Sequence, residues 1–387
     1  MRGLTGDVAL AVATATALGY TYNAHGPVLP LISAELGLSD VQAGLISTAL
    51  FLAAALTMLA VAGALDRFRP KDAVTVGLAI ALAGNVASAL SPGYEWLLVA
   101  KAIGGVGAGV GFLGGVRYIT ARYADARSHF GQGLYGAGYP LGSAIGLWAM
   151  PPLALALGWR GAFGVTSVFI AATVLAWLRA SGAAPTPRPG SMLDAVRCAN
   201  CWGTTVQHAA GFGLVFAAGT WITTFLLREF SLPLGASGLL GSILLVVTVI
   251  ARPVGGLLVA RERARTLPVM RVAQLVILAG IALIALPARP LVAALVGTIA
   301  VGVGGGLPYA AVFNTSAASL PRRPAAAQGL TAIGGLGGTL VGAPAMGFAI
   351  DSWGFSWAWL ILGLISAVAL AVTFVMRGEE DLTARPL

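Results

Sequence analysis

Arg127-Ser-His-Phe-Gly-Gln132-Gly133-Leu134 returns as Arg323-Pro-Ala-Ala-Ala-Gln328-Gly329-Leu330, and 323 minus 127 sets a repeat of 196 residues. The same shift carries Gly138, Gly142 and Gly146 onto Gly334, Gly338 and Gly342. Glycines four apart share one helix face, and in a membrane such small residues let two helices approach backbone to backbone. The stretches holding them read as copies, each entered from a basic segment, so the chain consists of two parallel halves. Duplication of this kind is a transporter architecture, with solute expected near mid-membrane between the halves.

Composition sets the surrounding medium. Of 387 residues, 58% are hydrophobic and 10% charged, and mean hydropathy is +0.87. A soluble domain carries about 25% charge, so this surface belongs against lipid. Apolar runs fall at about 8–31, 41–63, 72–90, 96–120, 131–154, 160–179, 203–227, 235–259, 267–286, 290–317, 326–348 and 356–376. Backbone in lipid must satisfy its own hydrogen bonds, and strand-like alternation is absent, so these runs predict helices. The expected fold is all-α and polytopic, with twelve transmembrane helices in two pseudo-symmetric six-helix bundles. The expected divisions are 1–180, a cytoplasmic linker at 181–202 rich in proline, 203–377, and a tail at 378–387. Arg2 followed by an apolar run imitates a secretory signal, but the run continues past signal length and is expected to stay as the first span.

The net charge of +9 does not mark a nucleic-acid binder, because the basic residues sit in short gaps between apolar runs rather than on a soluble face. With the N-terminus inside, seventeen lysines and arginines fall on the inner side and four (Lys101, Arg160, Arg228 and Arg289) on the outer side. The positive-inside bias predicts an inner-membrane protein with both termini cytoplasmic.

The segment Ala62-Gly-Ala-Leu-Asp66-Arg67-Phe-Arg69-Pro70-Lys71 resembles the loop 2–3 signature of the major facilitator superfamily, with Ala62 where a glycine is usual. Lys101 followed by Gly104, Gly105, Gly107 and Gly109 is similar to the family's helix 4 motif, with lysine for its arginine. Gly158-Trp159-Arg160 before the sixth run is another family element. The resemblance implies the twelve-helix transporter fold, with a cavity lined by helices 1, 4, 7 and 10. Arg252-Pro-Val-Gly255-Gly256 looks like the anion-binding helix 8 segment of nitrate/nitrite porters, and short loops liken the chain to cyanate-type porters. Those nitrate porters carry a second arginine in helix 2, where the motif register here gives Leu59. The resemblance also implies an inner gate in which Asp66 meets a helix 11 N-terminus, with Arg67, Lys71, Arg122 and Arg127 as its basic companions.

All fourteen acidic residues fall in loops, tails or helix ends, which argues against a cationic substrate. Arg117 and Arg252 are the charges deep enough to face a polar cavity, since arginine against lipid costs at least ~2.5 kcal/mol. His25 wants a partner or water and should share a helix face with Tyr22. The remaining substrate-binding candidates are Asn23, Tyr135, Tyr139, Trp221, Tyr309 and Asn314. The apparent G-x-G-x-x-G at Gly109–Gly114 lies inside a membrane run, without the strand that nucleotide binding needs. Cys198-Ala-Asn-Cys201 is a lone C-x-x-C without a second ligand pair. No nucleophile–base–acid set is recognisable, so neither enzyme activity nor a cofactor or metal is expected. The expected function is secondary transport of a small anionic or polar solute by alternating access, with protons as a candidate coupling ion. The alternatives are a proton-coupled drug or metabolite exporter of the same superfamily and a transporter-like receptor or scaffold.

Overall fold

The computed structural model describes residues 2–61, 68–122, 126–182, 192–260 and 265–383, with residues 2–5, 126–133, 192 and 260 in backbone only. Every regular element among them is helical. The first half contains α1 (Arg2–Asn23), α2 (Leu29–Leu36), α3 (Asp40–Val61), α4 (Pro70–Ala89), α5 (Tyr94–Arg122) and α6 (Ala126–Trp177). There follow α7 (Met192–Arg197), α8 (Ala199–His208), α9 (Leu214–Phe230), α10 (Leu234–Ala260), α11 (Thr266–Ala285), α12 (Leu291–Gly306), α13 (Tyr309–Ser319), α14 (Pro324–Trp353), α15 (Phe355–Val372) and α16 (Glu379–Thr383).

Among the described residues, ten helices are long and apolar enough to cross a membrane. Two features separate that count from the expected twelve. The helix at Leu134–Trp177 holds two of the expected runs, joined at Gly158, where φ is 69° and the helix is broken. The first run is interrupted after Asn23 by a bend and a short 3-10 turn at Gly26–Val28, and neither α1 nor α2 is among the ten.

The chain forms two compact units, Met1–Arg188 with Gly219–Ser242, and Pro189–Ala218 with Ile243–Leu387. Residues 219–242, which the sequence reading places in the second half, cluster with the first. They are tied there by Arg228, which donates from both guanidinium nitrogens to the Asp40 carboxylate at 2.5 and 2.9 Å. Thr220 and Gly238 pack within the same unit, Gly238 with Leu147 and Pro151.

Glycine faces set the helix spacing identically in the two units. On α6, Gly138, Gly142 and Gly146 lie against α1, where a Cβ added at Gly138 would sit 2.6 Å from Ala15 Cβ and one at Gly146 3.5 Å from Ala24 Cα. On α14, Gly338 would place its Cβ 2.7 Å from the Ala209 carbonyl oxygen, and Gly342 would meet Ala217 at 3.0 Å. The repeat therefore packs the same pair of helices twice. The apparent nucleotide-binding pattern belongs to this system: a Cβ added at Gly109 would sit 2.8 Å from Ala54, one at Gly111 2.6 Å from Leu18 and one at Gly114 2.9 Å from Val74.

A second repeated face corrects the register opposite Arg252. Gly105 and Gly109 on α5 pack against Leu50 and Ala54 of α3, as Gly302 and Gly306 on α12 pack against Leu244 and Thr248 of α10. Four residues beyond Thr248 is Arg252, and four beyond Ala54 is Met58. The counterpart of Arg252 is thus Met58, 3% exposed, and not Leu59, which is 51% exposed on the outer face. The motif register hangs on Ala62, where the usual glycine is missing, and it slips by one residue relative to the helices.

Candidate functional site

In the second unit, Arg252 stands on α10 one residue before Pro253 and is 5% exposed. Its guanidinium carbon lies 4.3 Å over the Tyr309 ring, a cation–π contact that offsets part of the cost of burial. Tyr309 opens α13 immediately after the break at Pro308. Phe313, one turn on, is 4.8 Å from Tyr309 between ring centroids. His208 packs against both, at 6.1 and 5.0 Å. His208 Nδ1 donates to the Thr331 carbonyl at 3.0 Å, so Nε2 of the neutral ring is an acceptor, without a partner among the described residues. Asn314, one position beyond Phe313, is half-buried.

The first unit gathers most of the other candidates into two groups. Tyr22 stacks on Tyr139 at 5.5 Å and packs on Phe51 at 5.0 Å. Tyr139 and Tyr135 share a hydroxyl contact of 3.2 Å, and Tyr135 donates to the Gly111 carbonyl at 3.0 Å. The second group follows the break in the first run. His25 Nε2 bonds Ser47 Oγ at 2.7 Å, Ser47 bonds Thr220 Oγ1 at 3.1 Å, and Thr220 donates to Asn23 Oδ1 at 3.3 Å. All four residues are buried, and His25 Nδ1 and Asn23 Nδ2 have no partner among the described residues. Although the helix ends at Asn23, His25 reaches Ser47 of α3, one turn before the Phe51 on which Tyr22 packs. Trp221 is fully buried beside Thr220.

Charges divide differently from the sequence expectation. Arg117 is half-buried on α5, whereas Lys101, which the sequence reading counts among outer-side charges, is a core residue at 4% exposure. Among the buried polar residues, Ser47 is one that the sequence expectation does not name, and Lys101 one that it places on the outer side rather than in the core. Lys101 is the first charge inside the apolar run at 96–120, which was a usable signal; Ser47 had none.

Of the gate residues, Asp66 and Arg67 lie outside the described residues, as does the side chain of Arg127. Lys71 Nζ donates to the Leu178 and Ala180 carbonyls at 2.8 and 2.6 Å, capping the end of α6. Arg122 pairs with Asp7 at 2.6 Å, and Asp7 also accepts from the Ser181 amide at 3.0 Å. The Gly158-Trp159-Arg160 element is anchored on a single carboxylate. Trp159 Nε1 donates to Glu35 at 2.8 Å, and Arg160 pairs with the same group. Those hydrogen bonds from Arg160 and Trp159 hold the Glu35 carboxyl below its ordinary value. Cys198 caps α8 by accepting from the Cys201 amide at 3.3 Å, so the C-x-x-C pair starts a helix.

A duplicated bundle of membrane helices with buried polar groups defines a membrane solute carrier. The chain belongs to the Major Facilitator Superfamily, whose family model matches residues 11–337. It is 26% identical over 354 residues to the probable nitrate/nitrite transporter NarK2 of Mycobacterium tuberculosis, covering 87% of each chain. It is also 26% identical over 251 residues to the probable nitrate/nitrite antiporter NarK1 of Thermus thermophilus, covering 60% of this chain and 56% of that protein. In fold it is similar to the D-xylose–proton symporter, with TM-score 0.78, 13% identity and full coverage of both chains. A bacterial homologue of the human lysosomal transporter Spinster gives TM-score 0.76 at 16% identity, with 96% of each chain covered.

Proposed function

We propose that this transporter carries a small oxyanion of the nitrate/nitrite class across the inner membrane by alternating access, both termini lying on the cytoplasmic side. The observation that carries the reading is Arg252, a guanidinium residue only 5% exposed in the second unit and stacked on Tyr309. Its planar, paired donors suit trigonal and carboxylate-like oxyanions. The names of the nitrate/nitrite relatives support the same substrate class. Met58 at the counterpart position makes the contact one-sided, so the anion is held by one arginine rather than a pair. His25, with Nδ1 uncommitted, is the group in the first unit through which proton coupling would run.

Flux in proteoliposomes tests this. Labelled nitrate and nitrite should enter vesicles containing the wild type and not those containing Arg252→Gln, with both proteins eluting as folded monodisperse species. Normal flux in Arg252→Gln, or export of cationic dyes in place of anions, would overturn the anion reading in favour of the exporter.

A further inference from the structure

His208 carries a buried lone pair that the proposed function leaves unused. The residue is 8% exposed, and its Nδ1 hydrogen is already given to the Thr331 carbonyl at 3.0 Å. A carbonyl oxygen can only accept, so this bond fixes the neutral tautomer and leaves Nε2 a bare acceptor, without a partner among the described residues. Buried polar atoms are nearly always paired, and an exception asks for a reason. The fold holds the ring in this pose. Thr331 is itself fixed, its hydroxyl donating to the Ala327 carbonyl at 3.1 Å and meeting those of Thr204 and Ser316 at 2.9 and 2.8 Å. Gly335 stands against the ring, where an added Cβ would come within 2.5 Å of Nδ1, so a bare backbone is what leaves room for the imidazole.

The other unit shows that the fold does not require a polar group here. Gly142 packs on Thr16 as Gly338 packs on Ala209, and in that register the counterpart of His208 is Ala15, a buried methyl. A π turn at Ala209–Gly213 follows His208 at once, an irregularity that recurs at functional sites. Arg252 and His208 flank the same ring, Tyr309, at 4.3 Å from the guanidinium carbon and 6.1 Å between centroids, and the guanidinium charge reaches the imidazole. The charged and titratable groups that face the ring are Arg252 on α10 and Tyr309 on α13. Its other neighbours, Thr331 and Gly335 on α14, Phe313 on α13 and Phe212 in the π turn, do not titrate. Two cations so placed repel, whereas an anion on the guanidinium removes the repulsion and attracts both.

We infer that His208 takes up a proton at Nε2 when an oxyanion binds at Arg252, so that anion and proton are bound together and released together. The inference rests on Arg252 being the anion contact, as proposed above. The proton is drawn from solvent and bonds to Nε2, while Nδ1 keeps its bond to Thr331, so no existing hydrogen bond is given up. The imidazolium then supplies the second cationic donor that Met58 denies the site from the other unit. The buried charge also stays level: a lone guanidinium when the site is empty, and a guanidinium, an imidazolium and an anion, with the same single positive sum, when it is loaded.

Isothermal titration calorimetry of sodium nitrate into the purified full-length protein in detergent tests this, repeated in buffers of different ionisation enthalpy to count protons. Nitrate carries no proton near neutrality, so any proton counted goes to the protein. Uptake of about one proton per nitrate is expected above about pH 7, where a free imidazole is neutral. By linkage, Kd should rise there about tenfold per pH unit. His208→Gln should bind nitrate more weakly, without proton uptake and with a Kd that ignores pH. His208→Phe, which keeps a ring among Phe212, Tyr309 and Phe313, should do the same and serves if the glutamine variant does not fold. Nitrate binding to the wild type without proton uptake would overturn the inference and leave the anion site standing. So would uptake that persists in the folded His208 variants, which would put the proton on His25 instead. Absence of nitrate binding to the wild type at every pH would overturn the anion site itself, and this inference with it.

Discussion

The two units share one glycine frame and fill it with different chemistry. In the second, Arg252 and Tyr309 face each other across α10 and α13; the first has Met58 and Phe112 at the same places in the repeat. Conversely, the first unit buries Lys101, Asn85 and a chain of His25, Ser47, Thr220 and Asn23. The second instead buries an amide cluster, in which Gln274 donates to Gln207 at 3.0 Å and accepts from Ser366 at 2.7 Å. Backbone spacing in these halves is set by residues with no side chain, which leaves the large buried positions free to diverge. Chemistry changes by single replacements while the helices stay where the glycines put them.

The largest expected effect comes from giving the second unit the first unit's residue. Arg252→Met should lower anion flux at least ~30-fold, since losing a desolvated charge contact costs about 2–5 kcal/mol; initial rates in proteoliposomes measure it. Flux within about threefold of wild type would mean that the asymmetry between the units has nothing to do with substrate.

The glycine frame itself can be broken next. Gly338→Ala puts a methyl 2.7 Å from the Ala209 carbonyl, whereas Gly146→Ala meets nothing closer than 3.5 Å. Overpacking costs about 1–3 kcal/mol, so the first variant should unfold at clearly lower temperature while the second melts with the wild type. Equal melting would show that close approach is not what these glycines are for.

A smaller loss is expected from Ser47→Ala, which removes the hydroxyl joining His25 to Thr220. A buried partner left unsatisfied costs about 1–3 kcal/mol. Differential scanning calorimetry should place this variant between the two glycine variants, and an unchanged Tm would mean water replaces the hydroxyl.

The smallest effect concerns the exposed Glu35–Arg160 pair of the first unit. The folded carboxyl is held below its ordinary value, so the stabilisation is present above the unfolded-state value and disappears as pH falls through the folded one. The Tm gap between wild type and Glu35→Gln should therefore be open at neutral pH and close as the pH falls through and below the ordinary glutamate range. A gap that widens on acidification would reverse the assigned direction.

Much of the frame was legible from sequence because glycine spacing and apolar run length act locally. Gly138, Gly142 and Gly146 announced a close helix contact, and the partner helix follows from the fold. The break after Asn23 was not legible, since Pro27 and Pro30 are compatible with a kinked but continuous helix, and only packing decides that His25 turns to Ser47. Lys101 was misread for a related reason: a basic residue near a helix start looks like a flank until the neighbouring Gly84 and Phe163 close over it. Arg252 was found because depth in an apolar run is itself a signal. Its counterpart was missed by one residue because a loop motif is a poor ruler for a helix.

Gly158 and Gly354 are also 196 residues apart, and each joins two spans through a single residue, with φ, ψ of 69°, 162° and 84°, 177°. That backbone region is open essentially to glycine alone, and no atom lies within 4 Å of an added Cβ at either position, so the constraint is torsional rather than steric. A one-residue turn leaves no segment that could be translocated, glycosylated or tagged apart from its two helices. Each of these pairs should therefore enter the bilayer during synthesis as one preformed hairpin, and topology reporters placed at these turns would disturb the insertion they were meant to record.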